Sequence, residues 1–121
     1  MTLNVFGDPI ISCCNDPLTG YFRDGFCNTA SSDHGTHIVC AVMTEDFLRF
    51  TKSRGNDLRT PMPHWKFPGL VPGDKWCLCI SRWIEAEKEG KAPLVVLEAT
   101  HSKALQFVSL ETLKKYELKK Q

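Results

Sequence analysis

The chain has 121 residues, which is the length of a single domain, so we expect one domain over residues 1–121. Its hydrophobic fraction is 42% and its charged fraction is 24%, values that are typical of globular proteins and argue against disorder. The formal net charge is +1, so no overall field favours nucleic acid or an anionic membrane, and we expect neither as a partner.

The N-terminal residues and the cysteines bear on the compartment. Residues 1–11 lack the basic region followed by an apolar stretch that is typical of a signal peptide, and the longest apolar runs are too short to span a bilayer. We therefore expect a cytoplasmic protein. On that basis the six cysteines are interpreted as reduced thiols rather than as a disulfide framework.

Turn-forming residues dominate the first part of the chain. Residues 21–26 are predicted to form a short hairpin with Asp24-Gly25 in its turn. The clearest strand is 37–43, which is apolar on both faces and therefore belongs inside a sheet or under a helix. Thr44 is predicted to cap a helix of roughly ten residues that ends at Gly55.

Residues 59–74 are predicted to form a long irregular loop. Four prolines and two glycines in this stretch exclude a helix or a central strand. The loop also carries Trp65, Phe67 and Leu70, which together have too much apolar area to leave in water. We expect this loop to pack down as a lid or wall.

The second half of the chain alternates between short elements. A strand is predicted over 75–80, with Cys77 and Cys79 on the same face, followed by a helix that ends at Gly90. Further strands are predicted over 94–99 and 104–108, and a last helix begins after a capping Ser109. The predicted fold is an α+β two-layer sandwich, with a mixed or antiparallel sheet of four to five strands, about three short helices and the Pro/Gly-rich loop.

Planar and charged side chains in two predicted turns, at 23–25 and 55–57, together with Asn28 and with Arg82 beside the cysteine strand, form the candidate ligand-binding set. Such donors and acceptors suit recognition of a carboxylate, a phosphate or a base, although turn formation alone also accounts for them. The set comprises Arg23, Asp24, Asn28, Asn56, Asp57 and Arg82.

The cysteines raise metal binding and catalysis as alternatives. Thiolate and imidazole are the ligands that zinc prefers, which makes Cys27, Cys77, Cys79 and His37 weak candidates for a zinc site. The chain has no C-x-x-C pair, however, and buried cysteines commonly act as small apolar side chains. Cys27 is the best candidate for a nucleophile, because Arg23 precedes it and histidines follow it.

Several segments resemble one bacterial family. They are residues 16–25 (DPLTGYFRDG), 37–41 (HIVCA), 55–58 (GNDL), 72–79 (PGDKWCLC), 82–83 (RW), 92–93 (AP) and 97–101 (LEATH). The chain resembles, over nearly its full length, the uncharacterised family called domain of unknown function 2237. Phe26 and His34 stand where other residue types are expected in that family. The resemblance implies a free-standing intracellular α+β domain and no established activity, substrate or cofactor.

Three functional hypotheses follow. The first is binding of a small anionic molecule in a polar pocket that is lined by the candidate set and walled by the loop. The second is a protein-interaction module, or a homodimer, that uses the aromatic loop 61–73 as an exposed patch. The third is a thiol- or zinc-dependent enzyme. Exposure of the loop aromatics separates the first hypothesis from the second.

Overall fold

A three-stranded antiparallel sheet lies at the centre of the computed structural model, which describes residues 2–65 and 67–118. The strands are β1 (His37–Val42), β2 (Lys75–Cys79) and β3 (Leu94–Val95), and β1 lies between the other two. Three helices accompany the sheet: α1 (Glu45–Ser53), α2 (Ile80–Lys88) and α3 (Leu110–Lys115). Among the described residues, no helix has both the length and the apolar character needed to cross a membrane.

The predicted helices form for the local reasons that the sequence indicates. Thr44 caps α1 by accepting a hydrogen bond from the main-chain N–H of Phe47, and Gly55 has a φ of 92° just beyond the helix. Gly90, with a φ of 69°, follows the end of α2. Ser109 caps α3 through the N–H of Thr112. These three helices are confirmed.

The prediction of a four-to-five-stranded sheet is wrong, because one predicted strand is shortened to two residues and another forms a 3₁₀ helix. Of the stretch 94–99 only Leu94–Val95 pairs as a strand, and Leu97–Ala99 is a 3₁₀ helix. Beyond Val95 the hydroxyl of Thr100 accepts a hydrogen bond from the N–H of Cys40 in β1 and donates one to the carbonyl of Val96. A side chain therefore replaces part of the main-chain hydrogen bonding that a longer strand would make with β1. The predicted strand 104–108 is largely the 3₁₀ helix Ser102–Gln106.

The two faces of the sheet bury different side chains. In the β1–β2 register, Ala41 lies opposite Trp76 and Val39 opposite Leu78, and all four belong to the main apolar core. On the other face Cys40 lies opposite Cys77. This second face packs against the N-terminal segment in a small cluster formed by Cys13, Cys27, Cys40, Cys77 and Ala99.

The edge of β2 is covered by the N-terminal segment. The hydroxyl of the fully buried Thr19 accepts a hydrogen bond from the N–H of Cys77 at 2.8 Å. An edge strand with unpaired main-chain groups is a template for aggregation, and this contact removes one such group. Residues 21–26, predicted as a hairpin, form turns without strands beside this edge.

The loop predicted over 59–74 is mostly irregular, with one 3₁₀ turn at Pro63–Trp65; residue 66 lies outside the described residues. Phe67 and Leu70 are buried at 8% and 1% exposure, as expected of a wall. Trp65 is 69% exposed. The expectation that all three aromatic and aliphatic side chains pack down is therefore wrong for Trp65.

Candidate functional site

A cavity of about 400 Å³ opens between the covered edge of β2 and the loop. We call it the Arg23 cavity; it is lined by Gly20, Tyr21, Arg23, His37, Trp65, Trp76 and Cys77. Its volume falls in the range of small-molecule sites in proteins. A smaller cavity of about 190 Å³ adjoins it and shares Arg23, Trp65 and Trp76 with it.

Arg23 is held in place from several sides. Its guanidinium donates to the carbonyl oxygen of Gly20 at 2.6 Å and to that of Trp65 at 3.1 Å. The carbon atom of the guanidinium lies 5.1 Å from the centroid of the Trp76 ring, a cation–π distance. Burial lowers the pKa of this guanidinium, which nevertheless stays charged at neutral pH. The arrangement presents a fixed positive charge at the cavity wall.

The backbone of Arg23 is strained. Its φ is 55°, in the left-handed region that costs a residue with a Cβ atom about 1–3 kcal/mol. The Nε atom of Arg23 is buried and has no hydrogen-bond partner among the described residues. Among the described residues Arg59 also has a buried Nε atom without a partner, so the strained backbone at the cavity wall is what distinguishes Arg23.

His37 lies at the start of β1 and forms a pair with Asp33. Its Nδ1 atom is 2.7 Å from Oδ1 of Asp33, whose side chain is 1% exposed. Asp33 also accepts from the N–H of His37 and from the hydroxyl of Thr29. Because the carboxylate accepts a hydrogen bond from Nδ1–H, Nε2 is the acceptor atom of the neutral ring.

The pKa of Asp33 reflects this environment. Burial alone raises it, but the hydrogen bonds from His37 and Thr29 and the nearby imidazole lower it more, so the pKa lies below its usual value. Gly35 makes room for the pair, because a Cβ atom at this position would overlap the His37 ring. In the sequence, the pattern that indicates this pair is the spacing of Asp33 and His37 around a glycine.

The cysteines do not form the expected set of reduced thiols. Cys13 is bonded to Cys40 with their Cα atoms 5.6 Å apart, and Cys27 is bonded to Cys77 with Cα atoms 5.2 Å apart. The expectation of six free thiols was wrong because four cysteines that are distant in the chain meet between the N-terminal segment and the sheet. In this state Cys27 is not a free nucleophile.

The zinc candidates are divided in the structure. Cys27 and Cys77 share a disulfide, whereas Cys79 keeps a free thiol 3.1 Å from the hydroxyl of Ser81. His37, opposite Cys79 in the sheet, bonds to Asp33. A different group comes together instead: the Sγ atoms of Cys13, Cys27 and Cys77 all lie within 4.8 Å of one another. Such a group could hold a metal, although its members are disulfide-bonded here.

A family described as an uncharacterised protein conserved in bacteria (DUF2237) matches residues 3–117. The chain belongs to this family. No curated protein matches the chain. Three of the segments that carry the resemblance to DUF2237, residues 16–25, 37–41 and 72–79, supply six of the seven residues that line the Arg23 cavity.

The predicted ligand-binding residues lie in different surroundings. Arg23 lines both cavities, and Asp57 lines the smaller one. The carboxylate of Asp57 accepts hydrogen bonds from the hydroxyl of Thr60 and from the main-chain N–H groups of Arg59 and Thr60. These bonds hold the pKa of Asp57 below its usual value. Among the described residues, the fold therefore brings only these two members of the set to neighbouring positions.

The remaining four members bond locally. Asp24 accepts from the N–H of Phe26, and Asn28 from the N–H of Thr29. Asn56 donates to the hydroxyl of Thr51 at the end of α1. Arg82 donates to the carbonyl of Arg54 and to Glu85. Their part in ligand binding stays a prediction, and these contacts give each of them a structural role.

Proposed function

We propose that this protein binds a small anionic molecule in the Arg23 cavity. The observation that carries the proposal is a guanidinium that lines the cavity and is held there by the carbonyl oxygens of Gly20 and Trp65 and by the ring of Trp76. A positive charge fixed in this way is already oriented for an anion. Charge-assisted hydrogen bonds from arginine to carboxylate or phosphate are among the stronger polar contacts in proteins.

The chemistry of the other walls favours an anion with a flat apolar part. Tyr21, Trp65 and Trp76 provide aromatic surface, and among the described residues that line the cavity none carries a carboxylate. His37 adds an imidazole that can accept or, when protonated, donate a hydrogen bond. By contrast, a surface cavity of similar volume beside α1 is lined by two carboxylates, Glu45 and Asp46, against one cation, Lys91, so it favours an anion less.

The test uses sodium benzoate and inorganic phosphate as probes of the full chain. We expect titration to shift the amide and indole signals of the cavity residues in ¹⁵N-correlated NMR spectra. In an Arg23→Gln variant, binding should weaken by about tenfold or more, since one charge-assisted hydrogen bond is worth about 1.5–3 kcal/mol. Arg49→Gln is the matched control, because Arg49 is an exposed arginine on α1, outside both Arg23-lined cavities, and its side chain is 76% exposed.

Two results would contradict the proposal. One is that neither probe shifts the cavity signals at millimolar concentration. The other is that Arg49→Gln weakens binding as much as Arg23→Gln does, which would indicate a general charge effect. Thermal unfolding of both variants establishes that each remains folded.

A second candidate function is self-association through the aromatic loop. It is favoured by apolar exposure along the loop: Trp65 is 69% exposed, Val71 61% and Met62 42%. Exposed aromatic side chains are enriched at protein interfaces. Sedimentation equilibrium should then show a concentration-dependent dimer that Trp65→Ser abolishes and Phe107→Ser, at another exposed aromatic, leaves intact. A monomer at all concentrations would exclude this candidate.

A further inference from the structure

Four cysteine sulfur atoms meet where the N-terminal segment joins the sheet. The Sγ atoms of Cys13, Cys27 and Cys77 lie within 4.8 Å of one another although they belong to two different disulfides. Cys40 is bonded to Cys13 and lies opposite Cys77 in the β1–β2 register. All four side chains are buried, at 6% exposure or less.

Three of these sulfur atoms, those of Cys13, Cys27 and Cys77, lie within the distances that a tetrahedral thiolate site spans, and Cys40 is bonded to Cys13. Zinc binds cysteine sulfur at about 2.3 Å, which places the four sulfur atoms of a tetrahedron about 3.8 Å apart. Opening both disulfides frees each Sγ atom to rotate about its Cα–Cβ bond, while the paired Cα atoms already lie 5.2 and 5.6 Å apart. Four ligands close the coordination sphere, as in structural zinc sites.

We propose that the reduced protein binds one Zn²⁺ through the thiolates of Cys13, Cys27, Cys40 and Cys77, and that the oxidised protein does not. The junction is thereby cross-linked in both redox states, by two disulfides or by one metal ion. This set differs from the Cys27, Cys77, Cys79 and His37 set that the sequence indicates, since His37 pairs with Asp33 and Cys79 remains outside the sulfur cluster.

Reduction followed by metal binding converts the disulfide form into the zinc form. A cellular dithiol gives two electrons and two protons to each disulfide, the S–S bond breaks, and the dithiol becomes a disulfide. Zn²⁺ then forms four Zn–S bonds and releases the four thiol protons. Oxidation by a disulfide reverses this sequence: each pair of thiolates loses two electrons, an S–S bond forms again, and zinc is released.

A cross-link at this junction supplements a cysteine cluster that buries little other apolar surface. Apart from the four cysteines, the buried member of the cluster is Ala99, with Val96 packed against it. Such a small apolar area contributes little to holding the N-terminal segment on the sheet. Disulfides are rare in reducing compartments, where a structural zinc ion serves the same purpose.

The test compares the reduced and oxidised full chain, together with a Cys14→Ser/Cys79→Ser double variant. Cys14 and Cys79 are the two cysteines with free thiols, so the double variant removes them and keeps the four proposed ligands. The protein is reduced anaerobically with a phosphine, which takes an oxygen atom from water as it is oxidised. It is then loaded with Co²⁺ or Zn²⁺ and separated from free metal by gel filtration.

We expect about one metal ion per reduced chain and at least about tenfold less in the oxidised chain. The cobalt form should show the visible bands of tetrahedral Co²⁺ and a thiolate charge-transfer band with the intensity of four Co–S bonds. The double variant should give the same spectrum. The zinc-loaded protein should also keep the dispersed amide NMR spectrum of the oxidised protein.

Four results would each overturn the proposal. They are no metal above the oxidised level, a cobalt spectrum with fewer than four thiolates, loss of binding in the double variant, and an amide spectrum typical of an unfolded chain. A Cys27→Ser/Cys77→Ser variant should lose the four-thiolate spectrum. Because that variant also loses the Cys27–Cys77 disulfide, the Cys14→Ser/Cys79→Ser variant, which keeps all four ligands, decides the outcome.

Discussion

The two disulfides close loops of different length, which allows their contributions to stability to be calculated separately. Cys27 and Cys77 are 50 positions apart in the chain, and Cys13 and Cys40 are 27 apart. The entropy of loop closure in the unfolded chain gives about 4 kcal/mol for the longer loop and about 3.5 kcal/mol for the shorter one. Because the loops interleave, neither disulfide shortens the loop that the other closes.

Replacing each pair by alanine tests these values. Cys27→Ala/Cys77→Ala should lower the free energy of unfolding by about 4 kcal/mol, and Cys13→Ala/Cys40→Ala by about half a kcal/mol less. Both pairs are buried to a similar degree, so the added cost of the lost sulfur atoms largely cancels in the comparison. The measurement is urea unfolding at neutral pH without reductant, with the slope compared between variants.

A decrease in the free energy of unfolding below about 1 kcal/mol for either pair would refute this prediction, since that disulfide would then constrain little of the unfolded chain. A much larger loss for the shorter loop would also refute it. In that case the packing of the cluster, rather than loop length, would determine the contribution of each disulfide.

Three further predictions concern the residues that support the Arg23 cavity and the cap of α1. Asp33→Asn should lower the free energy of unfolding by about 2–4 kcal/mol at neutral pH, because it removes charge-assisted bonds to His37. Since the pKa of Asp33 is lowered in the folded protein, the difference from wild type in urea unfolding should shrink as the pH falls through that pKa. A constant difference down to a pH of about 2 would contradict this prediction. Gly20→Ala should destabilise the protein and broaden the cavity signals in NMR spectra, because Gly20 has a φ of 102° and a Cβ atom would overlap the carbonyl of Phe26; wild-type stability would contradict this. Thr44→Ala should cost about 1 kcal/mol in thermal unfolding through loss of the α1 cap, and no change would indicate that the cap is dispensable.

Part of the candidate site was accessible from the sequence and part was not. The sequence indicates Arg23 as a charged side chain in a turn, and it lines both cavities. The sequence also indicates Asn28, Asn56 and Arg82 as planar polar side chains, but these bond locally. A turn residue that faces a cavity and one that caps its own loop have the same local pattern, so composition alone does not separate them.

Local interactions determine what the sequence by itself established. Caps such as Thr44 and Ser109, and the glycines that follow α1 and α2, act over three or four residues, so the helices could be predicted from them. The same holds for β1, whose apolar pattern depends on its own residues.

Only the tertiary structure decided the number of strands, the pairing of the cysteines and the position of the cavity. The chain leaves the sheet after Val95 because Thr100 bonds to Cys40, 60 positions away. Each disulfide likewise joins residues at least 27 positions apart. No local pattern encodes such contacts, since they depend on how the N-terminal segment is laid across the edge of β2 and against the cysteine face of the sheet.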